Sequence, residues 1–130
     1  MTNFTSDELF DFLIAEVDAH LSGWEFSYIA DREQPAPLRW SYVSEALLRV
    51  RKSKAVLDMD TGGGEMFSYL APMPPVAYAT EAYAPNIPIA RQRLGALGVE
   101  VVALEDEEQR QLPFEDATFD LILTRHGFYW

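Results

Sequence analysis

An α/β fold built on a parallel sheet with helices wound about it is predicted by three observations. From residue 55 onward, short apolar runs alternate with helical stretches. Each run is apolar on both faces, so it must be covered above and below, as the strands of a parallel sheet are. The first run also leads through a glycine cluster directly into a helix. Right-handed crossovers then give a doubly wound, Rossmann-like sheet with strand order 3-2-1-4.

The elements follow in order. Thr5 and Glu8 form a capping-box pattern, with Phe4 and Leu9 placed as a hydrophobic staple, so a helix begins near Thr5. Leu9, Leu13, Val17 and Leu21 recur every four residues as an apolar stripe, Asp7, Asp11 and Asp18 face solvent, and Gly23 ends the helix. His20, late in this helix, reads as capping or exposed. Residues 24–37 are aromatic and then loop-like, because Asp31, Pro35 and Pro37 spoil any regular period. A second helix is expected over residues 41–51, burying Val43, Ala46, Leu47 and Val50. No clear linker separates this part. The expectation is one partial domain over 1–130, with an N-terminal helical cap at 1–52 and a ligand-binding core at 53–130.

Within the core, strands are expected at 55–59, 76–80, 99–104 and 119–124. Helices are expected at 65–71 and 87–97, the latter opened by Asn86, closed by Gly98 and carrying Ala90, Leu94 and Leu97 on one face.

Bulk properties narrow the function. A chain of 130 residues buries about two-thirds of the surface its unfolded form exposes, enough for a real core. The net charge of −11 repels phosphate backbones and anionic membranes, so it disfavours nucleic acid and membrane partners. The basic cluster Arg49, Arg51, Lys52 and Lys54 falls at a helix end, where it complements the helix dipole. The absence of cysteine excludes disulfides, thiolate metal sites and a cysteine nucleophile, and no metal site is expected. The start is acidic where a signal peptide needs positive charge, and no apolar run approaches ~18 residues, which points to the cytoplasm.

The most specific stretch is VLDMDTGGGE, residues 56–65. Glycines at 62, 63 and 64 allow a sharp turn and close backbone approach to a ligand, and a helix N-terminus offers free amide donors. Such a turn can equally be a plain strand-to-helix connection. Its companions weigh more: Asp58 lies at the carboxyl end of the first strand and Glu81 at that of the second, the edge where open α/β sheets bind ligands. An acid in the position of Glu81 can accept both hydrogens of a ribose diol. A nicotinamide fingerprint would need glycine or alanine at 67, where this chain has Phe67.

The DMDTGGG turn, the acid ending strand two and the segment LPFEDATFDLIL together resemble the class I S-adenosylmethionine-dependent methyltransferase family, especially its small-molecule branch, over roughly residues 38–126. The family turn reads DxGxGxG, and this chain departs from it at Asp60, where the first glycine usually stands. The resemblance implies S-adenosylmethionine as cofactor. It implies that Asp58 orients the methionyl end, that Gly62 and Gly64 pass beneath it with Asp60 and Thr61 in the same turn, and that Glu81 holds the ribose. It places an adenine-binding acid within residues 105–108, of which Asp106 is chosen; a solvated loop is the alternative. Tyr83 is read either against adenine or beneath the loop. Trp40 and Tyr42 resemble residues at the cofactor mouth, although aromatics at a helix start usually anchor the core. Methyl transfer needs alignment more than a dedicated catalytic group. His126, ending strand four, is the candidate for a general base, a structural histidine being the alternative.

Strand four is the expected sheet edge. FDLILT and the aromatics Phe128, Tyr129 and Trp130 suit a covered strand better than an exposed one, so self-association through that edge or a longer parent chain is expected. Two functions follow: transfer of a methyl group to a small-molecule acceptor or, alternatively, a truncated domain that binds cofactor or a partner without turnover.

Overall fold

The computed structural model describes residues 5–20, 27–32, 34, 38–105 and 111–125. By internal contacts the chain divides into two units, Met1–Ala36 and Pro37–Trp130. The second helix lies in the same unit as the sheet.

The first unit contains α1, Ser6–His20, and a 3-10 helix, Ser27–Arg32. The capping box forms: the Glu8 carboxylate accepts from Thr5 N, and Glu8 N donates to the Thr5 hydroxyl. The helix contains no buried residue, and Leu9, Leu13 and Val17 are each nearly half exposed. Sequence reasoning expected no regular element around residues 27–32. The 3-10 helix is held by Tyr28, whose ring stacks on His20 at 4.1 Å and lies under the Arg32 guanidinium, while its hydroxyl donates to Glu16. The contacts to His20 and Glu16 cross from one element to another and leave no periodic trace.

In the second unit, four parallel strands form one sheet: β1 Ala55–Met59, β2 Val76–Glu81, β3 Glu100–Ala103 and β4 Leu121–Thr124, in order β3-β2-β1-β4. The expected order is therefore the observed one, with β4 at an edge. Asp58 registers with Ala79 of β2 and Leu123 of β4, and Ala79 with Val101 of β3. Three helices connect to or pack on this sheet: α2 Tyr42–Val50, α3 Glu65–Ser68 and α4 Asn86–Gly95. One sheet face, carrying Val56, Ala77, Ala79, Val101 and Leu123, packs with Ala46 and Val50 of α2, Phe67 of α3, Leu70, and Ala90 and Leu94 of α4. On the other face, the segment 111–119 brings Phe114 and Phe119 edge-on to Tyr78 and to each other.

Two helices end earlier than their patterns predict. α3 stops at Ser68, because Leu70 N and Ala71 N bond to carbonyls only three residues back and Pro72 disfavours a helical Ala71. α4 ends at Gly95: Leu97 N and Gly98 N likewise bond three residues back, and Leu97 turns away from the buried stripe that Ala90 and Leu94 keep. β4 begins two residues later than expected, because Phe119 joins the aromatic cluster and Asp120 ties down the start of β1. No helix among the described residues is long and apolar enough to cross a membrane.

Candidate functional site

β1 delivers Asp58 to the carboxyl edge of the sheet, and the turn that follows is anchored to β2. Thr61 N donates to the Thr80 carbonyl at 3.0 Å and Asp60 N to the Thr80 hydroxyl at 3.4 Å. Thr80 is fully buried. The turn therefore has a fixed position relative to both strands.

Its backbone conformation explains the departure at residue 60. Asp60 has φ 55°, a left-handed conformation for which glycine is the usual residue and aspartate among the better tolerated others. The turn geometry is thus retained while a carboxylate is added. Gly62 and Gly64 also have positive φ, 64° and 79°. A Cβ on Gly64 would lie 2.7 Å from Leu94 Cγ, and one on Gly63 would lie 2.6 Å from Glu65 Oε1 and 3.1 Å from Arg93 Nη1. These two glycines make room for the side chains of α4 and Glu65, not only for a ligand as their sequence pattern implies. α3 is a single turn, so the helix expected over residues 65–71 behind the glycines is shortened to four residues.

Asp58 is 8% exposed. Burial pushes its carboxyl up to about 7; the adjacent Thr61 hydroxyl lowers it and the charge of Asp60 raises it further. The Thr61 Oγ1 is itself buried without a well-formed hydrogen bond. Tyr42, half-buried at the start of α2, belongs to the same edge: burial raises its phenol and Asp58 raises it further, while Arg125 opposes them. Tyr42 therefore packs against the core and also faces Asp58, whereas Trp40 is 60% exposed and stands outside the core cluster.

Glu81, 5% exposed, has each oxygen engaged once. Tyr83 N donates to Oε1 at 2.8 Å, and Asn86 Nδ2 donates to Oε2 at 3.3 Å. A carboxylate has about four acceptor positions, so this one keeps capacity for further donors. Asn86, buried at the first position of α4, was visible in the sequence only as a helix opener. Tyr83 is 42% exposed. Asp106 and His126 lie outside the described residues; Glu105, at the start of the acidic run, is exposed. Phe67, the residue that breaks the nicotinamide fingerprint, is a buried member of the core.

Asp120 has a different place. Its carboxylate accepts from Lys54 N at 3.0 Å and from Ala55 N at 3.1 Å, at the amino end of the sheet and away from the turn. The second aspartate of the LPFEDATFDLIL segment is thus a strand tie.

Comparison with known proteins agrees with this architecture. Residues 57–130 match a family described as a methyltransferase domain. A demethylmenaquinone methyltransferase from Thermus thermophilus is 35% identical over 95 residues, covering 72% of this chain and 43% of that protein. A S-adenosylmethionine-dependent methyltransferase structure from Aquifex aeolicus superposes with TM-score 0.51 at 27% identity, covering 75% of this chain and 55% of that one. An amino pentose methyltransferase from Micromonospora echinaspora, solved with S-adenosylmethionine bound, superposes with TM-score 0.51 at 19% identity over 96% of this chain and 43% of its own, a likeness of fold alone. This chain spans less than half the length of the Thermus relative.

Proposed function

The chain belongs to the class I S-adenosylmethionine-dependent methyltransferase family, and from that premise we propose that it forms the cofactor-binding part of an enzyme that methylates a small molecule. The observation that carries this reading is the convergence of two buried carboxylates, Asp58 and Glu81, on one glycine turn at the carboxyl edge of adjacent parallel strands. The small-molecule acceptor is supported by the Thermus relative, a demethylmenaquinone methyltransferase.

The residues present fit the cofactor chemically. When bound, S-adenosylmethionine supplies a methyl group activated on a cationic sulfur. Asp58 and Asp60 give the edge of β1 two carboxylates suited to the ammonium and sulfonium end. Glu81, held by Tyr83 N and Asn86, is suited to accept from a ribose diol with its remaining lone pairs. Tyr83 is exposed beside it and available to lie along a purine. The work of the residues is to bind and orient, because an in-line displacement at an activated methyl needs alignment of the nucleophile more than proton transfer.

The test is calorimetric titration with S-adenosylmethionine, its demethylated product and NAD. Binding of the first two and not of NAD is expected. Glu81→Ala should weaken the cofactor by one or two charge-assisted hydrogen bonds, roughly 1.5–3 kcal/mol each. An unchanged affinity in that variant removes Glu81 from the site.

A further inference from the structure

α4 touches both halves of the proposed cofactor edge. At its start, Asn86 holds the Glu81 carboxylate. Near its end, one Arg93 nitrogen, Nη1, donates to the Gly63 carbonyl oxygen and to the Glu65 carboxylate, which lie 30 and 28 residues away in sequence. The neighbouring Leu94, fully buried, fills the space a Cβ on Gly64 would take.

An exposed arginine–glutamate pair is worth little by itself, and here both side chains are more than a third exposed. The Gly63 carbonyl is a different matter. A peptide plane pinned through its oxygen also fixes the N–H on its other side, and Gly64 N donates to the Thr61 carbonyl at 3.1 Å, closing the turn that carries Asp60 and Thr61. The missing Cβ of Gly63 is what lets the guanidinium approach.

We infer that Arg93 is a positioning residue for the cofactor turn: by bridging the Gly63 carbonyl and Glu65 it holds residues 60–65 in their binding conformation without touching the cofactor. This rests on the cofactor reading above. It also accounts for a glycine at 63, where neither positive φ nor ligand approach has to be invoked.

The experiment compares the unaltered chain with Arg93→Gln, Arg93→Lys and Arg91→Gln. Arg91 is the control because it lies on the same helix and its Nε donates to the Val101 carbonyl of β3, away from the turn. Two quantities are read: hydrogen exchange of the amides in residues 61–68 without ligand, and affinity for the demethylated cofactor. Arg93→Gln should speed exchange across the turn and weaken binding by about tenfold, the loss of one hydrogen bond to a charged donor. Arg93→Lys, which keeps a charged donor, should recover most of both, and Arg91→Gln should move neither. Exchange in Arg93→Gln no faster than in Arg91→Gln overturns the inference. Faster exchange with unchanged affinity overturns it too, because the brace then serves only the fold. Absence of binding by the unaltered chain overturns the cofactor reading instead, and the exchange data then judge the brace alone.

Discussion

Asp58 and Asp120 are aspartates on, or at the start of, neighbouring strands, and they sit at opposite ends of the sheet in opposite electrostatic conditions. Asp58, at the carboxyl edge, is buried and its carboxyl is pushed up to about 7. Asp120, at the amino edge, is exposed and its carboxyl is held below the usual range by backbone donors from Lys54 and Ala55. One carboxylate opposes folding when charged and the other favours it. The difference separates the end of the sheet proposed to bind the cofactor from an end that ties two strands together, and it can be probed at each end.

The largest effect is expected at the ligand end, from Gly64→Ala. The added Cβ would meet Leu94 Cγ at 2.7 Å and Cδ1 at 2.8 Å, with the residue held at φ 79°. Left-handed strain adds about 1 kcal/mol and overpacking about 1–3 kcal/mol, so a total loss of about 2–4 kcal/mol is expected in chemical denaturation. A variant of unchanged stability would mean that the turn and α4 can separate freely, and the contrast between a tightly built ligand end and a simple strand tie would fail.

Asp58→Asn sharpens the contrast in the other direction. A raised carboxyl means that the folded chain binds more protons than the unfolded one between about pH 4 and pH 7, so stability falls as pH rises through that window and levels off above it. Removing the charge should stabilise the ligand-free chain near pH 8 and hardly at all near pH 4. The same change should weaken S-adenosylmethionine binding. Stability gained together with affinity lost marks a group retained for function; equal stability at both pH values would show that Asp58 is not desolvated.

The sequence made the ligand end partly legible. Asp58, the glycines and Glu81 stand out because each occupies a strand end or a turn, and strand ends follow from local apolar runs. The order of the strands followed from the alternation of elements and the handedness of crossovers. Asn86, Arg93 and Thr80 did not stand out, because each acts on a group five to thirty residues away and no local pattern encodes such pairs. α1 shows the complementary gap: its stripe and capping box specify a helix, and the helix forms, yet periodicity names no partner for the apolar face, and none of its residues is buried. α2, with a shorter pattern, sends Ala46 and Val50 into the core. Asp120 was read within a family-like segment, but its task emerged only when its carboxylate was seen bridging the two amides that open β1.

The smallest effect is expected at that amino end. Asp120→Asn keeps one acceptor oxygen but loses the charge that strengthens the bonds to Lys54 N and Ala55 N, so the melting temperature at neutral pH should fall by less than in Gly64→Ala. A lowered carboxyl contributes stability that is fully present above its unfolded value of about 4 and is lost as pH falls through the folded value. Melting of the unaltered chain and the variant should therefore differ at neutral pH and converge in acid, as for Asp58→Asn, but with the variant the less stable of the two instead of the more stable. Cofactor affinity should stay unchanged, because the β1 start is four residues from the turn and β1 remains paired on both sides. A loss of affinity in Asp120→Asn would mean that the two ends are coupled through β1 and that strand tie and ligand site cannot be treated as separate.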